Sequence, residues 1–212
     1  MLSLGAPAMW RNAGSTTAIV RRQMVGDRLQ RVVWRGKLAA PYRRRQFAAF
    51  GADSILHRPD WISHPDKIEI GSSVLMFHGL WLAAEQPSWH RPGPAIRIGD
   101  HVGVRPYCTI SAAESVTIED GVVISAFTTI IDSDHTFAAG RPNVMHNPLV
   151  STPVRVGEGT WIGERVAVLR GSDIGRCCIV GANSVVRGTI PDYSIAVGAP
   201  ARVVGSTKEH FT

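Results

Sequence analysis

Aliphatic residues recur at every sixth position through the C-terminal part of the chain. The run begins at Val156 and continues through Ile162, Val168, Ile174, Val180 and Val186. Neither an α-helix, with a period of 3.6, nor a flat strand, with a period of 2, produces a six-residue rule. A β-helix does, because each six-residue segment forms one side of a coil and directs its aliphatic residue inward. The pattern therefore predicts an all-β fold, a parallel β-helix of hexapeptide repeats.

The same spacing appears upstream, with two interruptions. Three hexapeptides make one triangular coil, so we expect complete coils from Ile98 and Ile118, two more within the C-terminal run, and an incomplete coil at 70–82. The interruptions at 83–95 and 136–153 are irregular and contain several prolines, so we interpret them as loops that leave the coil. The predicted β-helix domain spans 61–205, followed by a tail at 206–212.

Residues 1–60 form a separate, basic and partly helical segment. Residues 1–50 contain ten Lys and Arg residues and one acid, Asp27, whereas the rest of the chain contains thirteen basic and sixteen acidic residues. An apolar stripe from Ile19 to Leu38, with arginines between, predicts one or two amphipathic helices. Two interpretations stay open: a capping helix with a solvated basic face, and contact with an anionic membrane surface. No nucleic-acid-binding motif accompanies the charge, so we expect no nucleic-acid partner.

Cysteine usage and hydropathy exclude several classes of protein. The three cysteines, Cys108, Cys177 and Cys178, do not form a disulfide framework, and Cys108 and Cys178 occupy small inward positions of their repeats. No apolar run reaches the roughly 18–20 residues that a membrane span needs. The first 25 residues do not contain a charged start, an apolar run and a small-residue cleavage site in the order that a signal peptide requires. A cytoplasmic location is therefore expected.

Four segments carry a more specific pattern. They are VTIEDGVVISAFTTIIDSDH at 116–135, WIG at 161–163, A-x-S-V-V at 182–186 and P-x-Y-S-I-x-x-G-x-P-A-R at 191–202. These segments resemble the hexapeptide-repeat acyltransferases, in particular the galactoside, maltose and surface-polysaccharide O-acetyltransferases. The resemblance covers about residues 62–205. It implies a left-handed β-helix and a homotrimer with its active sites at subunit interfaces.

The resemblance also implies a reaction, acetyl transfer from acetyl-CoA to a hydroxyl of a sugar or polysaccharide precursor. A thioester is already activated, so the attacking hydroxyl needs a base but no covalent acyl-enzyme. Histidine suits this role because its ordinary pKa lies near neutrality, and His135 matches the family's catalytic histidine. Asp132 and Asp134 are expected to orient the ring or stabilise its charged form. Asp132 and His146 are candidate substrate contacts.

Further residues of the last coils are candidate acetyl-CoA contacts. The resemblance implies a groove between neighbouring subunits, lined here by Trp161, Glu164, Ala182, Arg187, Gly188 and Arg202. Arg202 matches a basic residue near the phosphates of CoA, and a cation complements phosphate charge. The alternatives are that Arg187 and Arg202 are ordinary surface charges and that Trp161 covers a corner.

The chain departs from the galactoside type on the acceptor side. Arg105 stands where that type carries an asparagine, Tyr107 follows shortly after, and Thr136-Phe137 stands where that type has His-Pro. Arg105 and Tyr107 are therefore candidate substrate-binding residues. Arg105 suggests an acidic or phosphate-bearing acceptor.

Two other functions and a metal site are also compatible with the fold. An N-acetyltransferase acting on an amino-sugar or an antibiotic needs the same base, and a non-catalytic scaffold subunit needs only the repeats. Zinc enzymes on this fold use a histidine pair about five residues apart, whereas His135 and His146 are eleven apart. We therefore expect no metal.

Overall fold

The computed structural model describes residues 44–137, 144 and 147–210. Short 3-10 turns lie at Pro65–Lys67, Ser88–His90 and Thr207–His210. The strands, in chain order, are β1 (Ala49–Phe50), β2 (Ile55–Leu56), β3 (Trp61–Ser63), β4 (Ile68–Ile70), β5 (Leu75–Met76), β6 (Trp81–Ala84), β7 (Ile96–Ile98), β8 (Gly103–Val104), β9 (Thr109–Ala112), β10 (Val116–Ile118), β11 (Val123–Ile124), β12 (Thr129–Ile131), β13 (Ser133–His135), β14 (Leu149–Ser151), β15 (Val154–Val156), β16 (Trp161–Ile162), β17 (Ala167–Val168), β18 (Asp173–Ile174), β19 (Ile179–Val180), β20 (Val185–Val186), β21 (Thr189–Ile190), β22 (Ser194–Val197) and β23 (Arg202–Ser206).

Three sheets, here named A, B and C, wrap around one axis. Sheet A runs β1-β4-β7-β10-β15-β18-β21, sheet B runs β2-β5-β8-β11-β16-β19-β22-β23, and sheet C runs β3-β6-β9-β12-β17-β20. Neighbouring strands are parallel except β22 and β23. The chain moves from A to B to C and returns to A, so each circuit is one coil. This confirms the predicted all-β, parallel fold.

The core is a set of registered columns. In sheet B, Met76, Val104, Ile124, Ile162 and Val180 lie opposite one another on successive strands. Each of these side chains is 0% exposed. Burying one such aliphatic side chain contributes about 2 kcal/mol relative to leaving it in water. The aliphatic residues spaced six apart in the sequence therefore stack into one continuous apolar column in each sheet.

Extra residues between successive inward positions occur at one corner, where the chain passes from sheet C back to sheet A. There the chain inserts two residues between Ile62 and Ile70, and two more between Ile110 and Ile118. Both long excursions also leave from this corner, after β6 and after β12. The described ends of both excursions therefore lie along the same edge of the prism, which we call the C–A edge.

The β-helix extends beyond its predicted bounds. The sheets begin at Ala49 rather than near residue 61, and Phe50, Leu56 and Ile62 already follow the six-residue spacing. The coil at 70–82, expected to be incomplete, is complete. At the other end Thr207 is buried and donates through Oγ1 to the Cys177 carbonyl at 2.8 Å. The predicted N-terminal helices at 17–40 lie outside the described residues.

Candidate active site

His135 lies on a hairpin that projects from the C–A edge. The strand β13 pairs antiparallel with β14, which places His135 opposite Leu149. The His135 side chain is exposed. The hairpin begins directly after β12, so the second excursion opens with an ordered strand rather than with a loop. An exposed imidazole on a paired strand can reach a substrate and still have a fixed backbone.

Asp132, at the base of this hairpin, does not have the predicted role. Its side chain is 0% exposed. Its two oxygens accept backbone N–H bonds from Ala113, Glu114 and Ser115 at 2.8, 2.7 and 2.7 Å. A carboxylate bonded in this way cannot turn to a substrate or to His135. Asp132 instead ties the start of the hairpin to the preceding coil.

The hairpin is also tied by two side-chain contacts that the sequence did not suggest. Arg170 donates through Nε to Asp134 at 2.5 Å. On the other strand, Ser151 donates to the Glu114 carboxylate at 2.8 Å, and Arg91 of the first excursion lies 3.6 Å from the same carboxylate. Arg170 and Asp134 are separated by 36 residues, so no local pattern marks this pair.

Tyr107 belongs to a column of side chains at the corner between sheets B and C, which we call the B–C edge. Its ring stacks on Phe127, with centroids 5.2 Å apart, and Arg165 lies 5.3 Å from the Phe127 centroid. Gly79 packs against the Tyr107 ring, since a Cβ built there would lie 2.3 Å from its Cδ1. Tyr107 is nevertheless 49% exposed, so it can still contact a ligand.

Arg105 lies on the same edge, directly after β8. Its guanidinium sits over the Phe77 ring at 5.4 Å from the centroid. The side chain is half-buried, and the ring contact leaves the N–H donors of the guanidinium available, since no described hydrogen bond uses them. Arg105 therefore has the geometry to hold an anionic group.

The candidate acetyl-CoA contacts divide between the two edges. Trp161 projects from sheet B, is 51% exposed and donates through Nε1 to Ser125 Oγ at 3.0 Å. Glu164 and Ala182 follow on the B–C edge, where both are exposed. Gly163 packs against Ala182, since a Cβ on Gly163 would lie 2.7 Å from the Ala182 nitrogen. These residues form a surface that a flat, extended ligand can follow.

The remaining candidate donor contacts lie elsewhere. Arg187 is exposed on the C–A edge, next to Gly188, whose φ is +90°. Arg202 is exposed at the start of β23 and donates to the Ala201 carbonyl at 2.9 Å. Neither arginine has a carboxylate partner among the described residues, so both guanidiniums can pair with phosphate.

The cysteines fit the predicted core role. Cys108 is 1% exposed, and its thiol donates to the Ser125 carbonyl at 3.1 Å. Burial raises the pKa of Cys108 to about 11. Burial also raises the pKa of Cys178. Neither thiol is ionised near neutrality, and neither is a nucleophile.

The remaining predictions concern His146, a metal site and a membrane span. His146 lies outside the described residues. Within 44–137, 144 and 147–210, no group of three or more His, Cys, Asp or Glu side chains is arranged to hold a metal ion. In the same part of the chain, no helix is long and apolar enough to span a bilayer.

Comparison with known proteins identifies the family. Residues 153–188 match the bacterial transferase hexapeptide family (six repeats). The putative lipopolysaccharide biosynthesis O-acetyl transferase WbbJ of Escherichia coli is 34% identical over 71% of this chain and 77% of its own length. The chain belongs to the hexapeptide-repeat acyltransferases. Galactoside O-acetyltransferase of E. coli, another relative of this acyltransferase, is 30% identical over 67% of this chain and 71% of its own length.

Two more comparisons bound how far the likeness extends. A probable acetyltransferase of Mycobacterium tuberculosis is 44% identical over 52% of this acyltransferase, which spans only 37% of that relative's length. The crystal structure of AntD, an N-acyltransferase from Bacillus cereus in complex with dTDP and 3-hydroxybutyryl-CoA, superposes with a TM-score of 0.66 at 21% identity. That match covers 80% of this chain and 88% of AntD, and it shows a shared fold.

One chain of this acyltransferase does not bring the predicted site together. Arg105, Tyr107, Glu164 and Ala182 lie on the B–C edge, whereas His135 lies on the C–A edge. The strands of sheet C separate the two edges, and a four-residue strand such as β9 spans about 13 Å. A single copy therefore keeps these two groups of candidate residues apart.

Proposed function

We propose that the protein is an acyl-CoA-dependent O-acyltransferase that moves an acetyl group from acetyl-CoA to a hydroxyl of a sugar or polysaccharide precursor. One observation carries the proposal: His135, at the position of the family's catalytic histidine, stands exposed on a hairpin anchored to the β-helix. The O-acetyltransferase relatives favour a hydroxyl over an amine acceptor.

The chemistry needs only one proton acceptor. His135 takes the proton of the acceptor hydroxyl as the hydroxyl oxygen attacks the thioester carbonyl carbon, and the carbon–sulfur bond then breaks. The CoA thiolate leaves and receives the proton from the imidazolium, so the histidine returns to its neutral form. No acyl-enzyme is involved, in agreement with the buried, protonated thiol of Cys108.

The described surface suits acetyl-CoA as co-substrate. Trp161 offers a half-exposed indole, and the small side chain of Ala182 leaves room beside it for an extended pantetheine arm. Arg187 and Arg202 supply cations for the phosphates. The Glu164 carboxylate is paired with the neighbouring Arg165 at 3.2 Å. We therefore assign the contact of Glu164 with acetyl-CoA to its main chain.

We also propose a homotrimer of left-handed coils, as the family implies. In the outward column of sheet B, Val123, Trp161 and Ile179 follow Gly103 in register and form an apolar, partly exposed face, whereas Ile55 and Leu75 before Gly103 are already buried. The outward column of sheet A is charged and ion-paired instead, as in Arg155 with Asp173 at 2.9 Å. An apolar sheet face next to a charged one supports packing against a second copy. Such packing brings the B–C edge of one copy to the C–A edge of another.

On the acceptor side, Arg105 is assigned to an acidic or phosphate-bearing sugar. The Phe77 ring holds the guanidinium at the half-buried position where a bidentate contact is strongest. Tyr107, 49% exposed on the same edge, is the second proposed acceptor contact, and His146 remains a predicted contact. Arg105→Ala should raise the acceptor KM and leave the acetyl-CoA KM unchanged. An unchanged acceptor KM would refute this assignment.

The function is tested with a matched pair of variants, His135→Asn and His101→Asn. His101 is an exposed corner residue with a φ of +59°, a conformation that asparagine tolerates. Thiol release from acetyl-CoA is followed over a panel of neutral, acidic and amino sugars. His135→Asn should lower turnover roughly 10²–10⁴-fold with unchanged CoA binding, while His101→Asn retains full turnover. Full turnover by His135→Asn would overturn the proposal.

The same measurements discriminate the two alternatives. A thermal shift with CoA separates an enzyme from a non-catalytic scaffold, because a ligand that binds only the folded state raises its stability. Turnover confined to amino sugars in the panel would identify an N-acetyltransferase.

A further inference from the structure

The hairpin that carries His135 is held by an arginine from the following coil. Arg170 follows β17, on the C–A edge, and donates through Nε to Asp134 at 2.5 Å and through Nη1 to Thr152 Oγ1 at 3.4 Å. Its side chain is 26% exposed and that of Asp134 41% exposed. One guanidinium thus contacts both the outgoing strand of the hairpin and the segment that returns to the β-helix.

The backbone reinforces the same connection. Thr152 donates through its N–H to the Asp132 carbonyl at 2.9 Å, which closes the hairpin at its base. Gly171 then donates to the Thr152 carbonyl at 3.1 Å. The residue next to Arg170 is therefore bonded to the returning segment as well, so the arginine is not a loose surface side chain.

The alternation of a β-strand explains what this pairing does for His135. Consecutive side chains of a strand point to opposite faces, so Asp134 and His135 leave β13 on opposite sides. Pinning Asp134 against Arg170 directs the imidazole to the other face of the hairpin. That face is the exposed one.

The other charged groups around the hairpin are already engaged. Glu114 of the preceding coil accepts from Ser151 at 2.8 Å and pairs with Arg91 at 3.6 Å. Among the described hydrogen bonds and ion pairs, Arg170 is the partner of the Asp134 carboxylate. Within β13, the Arg170–Asp134 pair is therefore the ion pair that fixes the residue next to His135.

We propose that Arg170 is a positioning residue for catalysis, which acts through Asp134 to hold His135 toward the acceptor. The proposal rests on the proposed role of His135 as the base. A misdirected base lowers the rate of the chemical step and leaves the binding of acetyl-CoA intact, because the Arg170 guanidinium contacts the hairpin and Thr152, whereas Trp161, Glu164 and Ala182 lie across the coil on sheet B and the B–C edge.

The test compares Arg170→Ala with Arg155→Ala. Arg155 is a matched control, since it also bridges two carboxylates, Glu119 at 2.7 Å and Asp173 at 2.9 Å, but on the outward face of sheet A. With the best acceptor of the sugar panel, Arg170→Ala should lower kcat roughly 10- to 100-fold and leave the acetyl-CoA KM unchanged. Arg155→Ala should change neither. Arg170→Lys should recover part of the loss, because an ammonium keeps the charge but not the second contact.

A double variant separates positioning from general damage. In the His135→Asn background, Arg170→Ala should cause no further loss, since a residue that acts only through His135 has nothing left to position. An equal loss in both backgrounds, or an unchanged kcat in Arg170→Ala, overturns this proposal while the proposed function stands. If His135→Asn itself retains turnover, the proposed function fails instead. Arg170→Met keeps the apolar stem and replaces Arg170→Ala if thermal melting shows that the latter is unfolded.

Discussion

The backbone N–H of Glu114 donates a hydrogen bond of 2.7 Å to the carboxylate of Asp132. A coil that precedes the hairpin thus binds Asp132, the residue from which the hairpin starts. Arg170, from the coil that follows the hairpin, binds Asp134. An irregular excursion is held between two regular coils in this way. The position of His135 is therefore a property of three successive coils rather than of its own loop.

Asp132→Ala should destabilise the protein strongly. Three backbone N–H donors at 113–115 would lose their acceptor, and the side chain that they bind is fully buried. We expect a loss of about 3 kcal/mol in the free energy of unfolding, measured by urea denaturation. Asp100→Ala is the control, because Asp100 lies at an exposed corner and accepts one backbone N–H, from Ser72. Equal losses in the two variants would contradict the structural role of Asp132.

Gly79→Ala should cost more than Gly93→Ala, although both glycines have a φ of +76°. At Gly79 a Cβ meets the Tyr107 ring at 2.3 Å, whereas at Gly93 the nearest atom is an Arg97 nitrogen at 3.8 Å. The shared backbone strain is about 1 kcal/mol, and the displaced ring adds roughly 1–3 kcal/mol at Gly79 alone. Thermal melting of both variants isolates the ring contact, and identical melting temperatures would refute it.

The stability of the protein should fall as the pH rises above about 9, in part because of Cys108. Burial raises the pKa of Cys108 from 9.0 to about 11, so the folded state keeps a proton that the unfolded state releases between these values. The stabilisation is therefore complete below pH 9 and is lost as the pH rises through the folded pKa. Denaturation curves for the wild type and Cys108→Ala across this range provide the check. Parallel pH dependences of the two proteins would contradict the effect.

Ile179→Glu should weaken the proposed trimer. Ile179 lies in the outward apolar column of sheet B, directly beside Trp161. A carboxylate in a packed apolar interface loses hydration without gaining a partner. Light scattering should show a shift toward smaller species. The control, Thr117→Glu, places the same charge on sheet A between Arg97 and Arg155, and it should leave the assembly intact. A wild type that is monomeric would refute the proposed assembly directly.

The sequence was sufficient for the coils because their cause is local and periodic. Ile162 and Val180 are inward residues whose positions follow from spacing alone, and the structure buries both completely. The earliest coil was missed, although Phe50, Leu56 and Ile62 obey the same rule, because the basic composition upstream drew the boundary to residue 61. The sequence predicts two excursions, and the second begins earlier than predicted, with β13; their common edge does not follow from the sequence, because it depends on which corner carries the insertions.

The site shows where sequence reasoning stops. His135 could be singled out from its motif, and its exposure agrees with the role proposed for it. The sequence predicts that Asp132 orients His135 or contacts the substrate, yet its partners are backbone groups 17 to 19 residues away. Arg170 gave no signal at all, being 36 residues from Asp134.

The six-residue rule, by itself, determined that this chain forms a parallel β-helix, because one apolar side chain per side of a coil is a requirement that each hexapeptide meets alone. Only the tertiary structure decided which edge carries His135, which arginine contacts its strand, and that Tyr107 stacks on Phe127. Those contacts join residues of different coils. They exist only once the coils are stacked in register, which no single segment of the chain encodes.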